Sequence, residues 1–218
     1  MRPIRKYSWK LFALGVAFTL LCGESVYAAG KPPKPPATPI DPAIVYATNG
    51  SLAVANSDGS NQKTILSNVG GYVSPSWSPD GTSIVFVGSD ANSSNGLSGR
   101  GIYRISIDRV TGQATGPAIK LAPLNSGIMA NPVWSPVPIP GTGRHFVAYS
   151  DETSPNGNDY SIHLVDPELP GSAFKLSSPV VNTGEAGDLN LTWAPDATRL
   201  AVTRGHDTTA PHLTTFKK

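Results

Sequence analysis

The sequence is almost without cysteine: Cys22 is the only one among 218 residues. It lies in an N-terminal apolar segment expected to be removed. The rest of the chain therefore has no disulfide, thiolate nucleophile or cysteine-based metal site. An exported domain of this kind rests on its hydrophobic core alone. Charge is also scarce, at 15% of residues with a formal net charge of +2. No basic stripe with interleaved aromatics is present, which argues against nucleic-acid binding. No stretch keeps a 3.6-residue apolar period, so helices are not expected. Motifs for catalysis are missing too: no Gly-x-Ser-x-Gly elbow, no His-Glu-x-x-His and no phosphate-cradling glycine loop. The expectation is a non-enzyme without cofactors. Carboxylates paired through the tertiary fold lie beyond what spacing can read.

What is present begins with MRPIRKYSWKLFALGVAFTLLCGESVYAAG. Arg2, Arg5, Lys6 and Lys10 make a basic start, and residues 11–21 form an apolar run too short to span a bilayer comfortably. Val26-Tyr27-Ala28 places small residues where a signal peptidase needs them. Residues 1–28 therefore read as a signal peptide, and the chain as exported, periplasmic or extracellular, with no membrane span after cleavage. Retention as an anchor is the alternative; a lipid anchor at Cys22 is disfavoured because Leu21 precedes it. Residues 29–42 contain KPPKPPATPIDP. Prolines favour an extended spacer of roughly 3 Å per residue over a compact element. A proline-rich recognition ligand is the sharper alternative.

From Ala43 the chain is rich in glycine, proline and short β-branched runs, an all-β profile. It also repeats. SPSWSPDGTSIVFV (74–87) recurs as NPVWSP (131–136) followed by HFVAYSDE (145–152), and as NLTWAPDATRLAVTR (190–204). Trp77, Trp134 and Trp193 stand 57 and 59 residues apart. Leu66, Leu121 and Leu176 end TIL, IKL and FKL in the same phase, and Asp58, Asp108 and Asp166 each follow a strand. Three markers in one phase define a repeat. Each period reads as four strands, a to d, near residues 72–77, 83–89, 101–108 and 118–122 in the first full copy. Four short antiparallel strands per repeat imply a β-propeller blade.

The turn chemistry accounts for the motif. Pro79 presets φ for a type I turn, Asp80 suits the next position, and Gly81 takes the left-handed one. Each Trp then packs between sheets. Trp77, Pro79, Asp80, Gly81, Trp134, Pro136, Trp193, Pro195 and Asp196 are thus expected to be scaffold residues. The second copy replaces Asp-Gly with VPIPGTG (137–143), and the third has Ala197 where Gly81 stands. A left-handed Ala costs about 1 kcal/mol.

SPSWSPDGTSIVFV, with the NSDGSNQKTIL hairpin (56–66), resembles the repeats of the TolB-like (WD-type) β-propeller family. The resemblance covers residues 43–204 and implies propeller blades. It is weak for function, because such blades serve interaction proteins and also accompany catalytic domains.

Counting gives three strands, two full blades, and then a and b of another, with 205–218 expected to be a polar, disordered tail. A closed ring needs about four to eight blades. An incomplete propeller is therefore expected. Its terminal blades would expose apolar faces, predicting self-association, a protein partner carrying further blades, or a truncated product.

The b–c and d–a loops should share one face. There, Asp90, Arg100, Asp151, Glu152 and Asp159 are the candidate binding groups. No metal site is expected. Residues 90–95 resemble a calcium loop only loosely, with Gly96 one place late. His206, Asp207 and His212 read as a chance cluster, and His145 and His163 as strand residues. The function that emerges is a non-catalytic exported propeller module acting as a protein-interaction scaffold. The rivals are the propeller part of a prolyl-oligopeptidase-like hydrolase or a propeller lyase.

Overall fold

The computed structural model describes residues 43–89, 96–125, 130–152, 160–176, 188–204 and 212–215. The signal-peptide and linker readings, Asp90, Asp159, His206 and Asp207 lie outside them. The described residues hold only strands and turns, with no helix long and apolar enough to cross a membrane.

Fourteen strands form four antiparallel sheets among the described residues. The first contains β1 (Ile44–Thr48), β2 (Ser51–Ala55) and β3 (Lys63–Leu66). The second contains β4 (Ser76–Trp77), β5 (Ser83–Gly88), β6 (Gly101–Ser106) and β7 (Ile119–Pro123). The third contains β8 (Val133–Trp134), β9 (Val147–Glu152), β10 (Tyr160–Val165) and β11 (Phe174–Lys175). The last contains β12 (Asp188–Trp193), β13 (Arg199–Arg204) and β14 (His212–Thr215). In every sheet neighbours in space are neighbours in sequence, the meander of a propeller blade.

Alternation within the strands decides how the sheets stack. Leu52 and Val54 of the first sheet pack with Ile84, Phe86 and Tyr103 of the second. Val85, Val87, Ile102 and Leu121, on the opposite face of the second sheet, meet Val147 and Tyr149 of the third. Ala148, Ile162 and Leu164 then meet Leu191, Trp193, Leu200 and Val202. Each inner sheet is therefore apolar on both faces. At about 1.5–3 kcal/mol per buried large side chain, these three interfaces dominate the stability. The architecture is all-β, an incomplete propeller of two four-stranded and two three-stranded sheets.

Two details depart from expectation. Strand a is shorter than 72–77 because Ser74 takes a left-handed φ of 37° and interrupts the ladder. Asn131 and Asn190 do the same at 35° and 41°, and at Asn190 the register of β12 shifts. The bulge is thus built into the repeat. Second, His212–Thr215 lies in the segment expected to be a disordered tail, yet it pairs with β13 as a third strand. Leu213 and the β-branched threonines are compatible with a strand whose main-chain bonding to β13 the polar composition concealed.

The open faces also differ from a uniform apolar expectation. On the first sheet, Ile44 is exposed and Tyr46 half-buried. On the last sheet, the face away from the third carries exposed Thr192 and Arg199 beside Ala201. The corresponding positions in the third sheet are Val133, Phe146 and Ala148.

Candidate interaction groove

The sheets have two ends, and the turns at each are built differently. At one end lie the a–b and c–d turns. Asp80 accepts bonds from the Ser78 hydroxyl at 2.6 Å, the Thr82 N–H at 3.0 Å and the Thr82 hydroxyl at 2.8 Å. Ser78 Oγ in turn accepts the Ser83 N–H at 2.9 Å. Burial pushes the Asp80 carboxyl up, but these bonds outweigh it and hold it below the ordinary carboxylate range. Gly81 adopts φ 68°, as the turn requires. Asp196 repeats the arrangement with Thr198, and Ala197 keeps the left-handed geometry at φ 54°. Asp58 and Asp108 cap the c–d turns by accepting N–H groups of Ser60, and of Val110 and Thr111. A bond from the Ser60 side chain, then one from the Ser60 N–H, hold the Asp58 carboxyl low, and the Thr111 and Val110 N–H groups do so for Asp108.

The third sheet breaks this pattern. Ser135 Oγ still accepts the Phe146 N–H at 3.0 Å, but the aspartate is gone. Thr142 organises the longer turn, bonding Ile139 O and accepting the Arg144 N–H. The insertion delivers two side chains the other turns lack. Arg144 pairs with the buried Asp166 at 2.7 Å. His145 Nδ1 lies 2.9 Å from Ser135 O, where the ring N–H can donate to the carbonyl.

Between this turn and the a–b turn of the second sheet runs a groove of about 510 Å³. Ser78, Asp80 and Thr82 line one side; Gly143, Arg144, His145, Asp166, Glu168 and Leu169 line the other, with Trp134 between them. Glu168 also forms an ion pair with Arg104 of β6, fixing the third sheet's c–d turn against the second sheet. Leu169 is half exposed. The lining thus offers an aromatic surface from β8 and an aliphatic one beside both signs of charge carried on hydrogen-bonded turns.

At the opposite end the structure places three of the five candidate binding residues. Asp151 is buried, at 7% exposure, and accepts the Asn125 N–H at 2.9 Å and side-chain amide at 3.1 Å. The Glu152 carbonyl accepts the same amide at 2.7 Å. Asp151 therefore joins the d–a connection of the second sheet to the end of β9, a structural task. Arg100 is exposed before β6. Glu152 is half-buried beside Asp151. Beneath Asp151, Tyr149 stacks on His163 with centroids 5.4 Å apart. Burial, then the Asp151 charge, push the Tyr149 hydroxyl up. Burial holds His163 below the usual histidine value, against the pull of Asp151.

The groove was missed because sequence reasoning treated the a–b turns as scaffold. Its signal was the departure from the repeat, VPIPGTG followed by Arg144 and His145. Among the described residues, no group of three or more potential metal ligands comes together.

The fold is that of propeller blades, and two solved structures share features of it. One is TolB from Acinetobacter baumannii, at 23% identity and a TM-score of 0.45, the match covering 75% of this chain and 34% of that one. The other is a calcium-binding protein, regucalcin, from Agrobacterium tumefaciens, at 19% identity and a TM-score of 0.43, covering 73% and 46%. The chain thus spans less than half the length of either. No family model and no curated protein matches it.

Proposed function

We propose that this chain is an exported, non-catalytic β-propeller module that acts as a protein-interaction scaffold. The groove between the second and third sheets carries this reading. It sets Trp134 and Leu169 beside Asp80, Arg144, His145 and Glu168, a lining that suits a peptide with apolar anchors and both charge signs. The turn aspartates favour a scaffold over an enzyme, since each is engaged by its own turn. Export rests on residues 1–28. Partners with further blades, or a second copy, remain part of the proposal through the exposed Ile44 and half-buried Tyr46 of the first sheet.

A photo-crosslinking residue at Leu169 in the exported chain tests the reading. The expected result is one discrete crosslinked protein in the compartment to which the chain is exported, lost when His145 and Glu168 are changed to Ala. Crosslinking indistinguishable from a probe at the exposed Asn61 overturns it.

A further inference from the structure

Among the described residues, the first sheet lacks a strand that the second and third place at their inner edge. β4 and β8 pair with β5 and β9. Their counterpart β1 pairs only with β2 among the described residues. Burial follows: β5 is buried throughout, whereas Ile44, Ala47 and Thr48 of β1 are exposed. A free strand edge is a row of main-chain donors and acceptors awaiting a partner.

A second observation falls at the same place. The Trp193 indole N–H donates to Val133 O, on the inner strand of the preceding sheet, at 3.2 Å. By the same relation, the acceptor for Trp77 belongs on an inner strand of the first sheet. Trp77 Nε1 is buried with no partner among the described residues. Trp134 Nε1 also lacks one, although the sheet before it has its inner strand, so the indole supports the placement and the free edge carries it. β14, the last of the described strands, does not fill the gap, because it pairs with β13.

We infer that the free edge of β1 is a strand-addition site for an extended segment of a second protein, one patterned like this chain's inner strands: Asn or Ser, two residues, then Trp. Continuity with the adjoining interface argues for that occupant. The cluster around Leu52, Ile84 and Phe86 runs on to Val45 and Trp77, and the inner strands at Trp77, Trp134 and Trp193 show what such an edge accepts. Main-chain bonds supply affinity and alternate side chains specificity. This surface is separate from the groove, and the inference stands even if the groove binds nothing.

The probe is the peptide ANPVWSP, copying residues 130–136, titrated against the full chain by fluorescence anisotropy. Saturable binding is expected. N-methylation of the peptide at Val133 and Ser135, or else at Trp134, should weaken it about fivefold, with the other set unaffected. Trp77→Phe keeps most of the ring and removes the N–H; it should weaken binding several-fold. If that variant fails to fold, the N-methyl series on the unaltered chain still decides. Absence of saturable binding, or a series without alternation, overturns the inference. So does a dimer of the chain that excludes the peptide, since a second copy then holds the edge.

Discussion

The Asn131 side-chain amide donates to the side-chain oxygen of Asn190 at 3.2 Å, across 59 residues of sequence. The Ser74 hydroxyl donates to Asn131 Oδ1 at 3.0 Å. Three left-handed residues, each three positions before a repeat tryptophan, thus tie three sheets together at their inner strands. Asn131→Ala removes both links and leaves a left-handed Ala. It should cost about 2–3 kcal/mol. Asn131→Gly removes the links without the backbone strain and should cost about 1 kcal/mol less. Chemical denaturation of both variants measures the difference.

Gly81 and Ala197 occupy the same turn position with φ values of 68° and 54°. A Cβ on Gly81 meets only ordinary contacts with Arg109. Gly81→Ala should therefore cost about 1 kcal/mol, purely as backbone strain. Ala197→Gly relieves that strain but gives up a fully buried methyl, worth about 0.8 kcal/mol. Its denaturation midpoint should barely move.

The Arg144–Asp166 pair joins a half-exposed guanidinium to a carboxylate that is 6% exposed. Arg144→Ala leaves Asp166 buried without its counter-charge and should cost about 1–3 kcal/mol. Asp166→Asn with Arg144→Ala should recover part of that loss. Thermal melts of the single and double variants give the coupling.

Acid should weaken the fold in two steps. His163 is held neutral by burial, so its folded value lies below the ordinary 6.5. As pH falls through 6.5, the unfolded chain binds the proton first and stability drops. His163→Phe should remove that step. Asp58, Asp80, Asp108 and Asp196 are held below the ordinary 3.8. Their contribution is complete above that value and is lost as pH falls through the folded values. Asp80→Asn should flatten this second limb in a pH series of denaturation midpoints.

Much of the fold was legible because the repeat writes its own spacing. Trp77, Trp134 and Trp193 located the a–b turns, and the alternation of Ile84, Val85, Phe86 and Val87 gave an inner strand apolar on both faces. The bulge at Ser74 was not legible, since Ser, Asn and Asn carry no shared turn signature. β14 was hidden because strand pairing there depends on main-chain bonds to β13. Asp151 and Glu152 were found as loop-face polar groups. Burial and Asn125, brought from 26 residues away, made Asp151 structural, and no local pattern predicts that. The groove depends on two turns from different sheets, and only the broken Asp-Gly pattern before Arg144 marked it.

A protein partner seated in the groove beside Trp134 would lie within reach of Leu169. Site-specific photo-crosslinking from Leu169, in the exported chain under native conditions, tests for that partner most directly. The expected result is one discrete adduct that disappears with His145→Ala and Glu168→Ala while the thermal midpoint stays within a few degrees. An adduct pattern equal to that from Asn61, or one untouched by those substitutions, contradicts it.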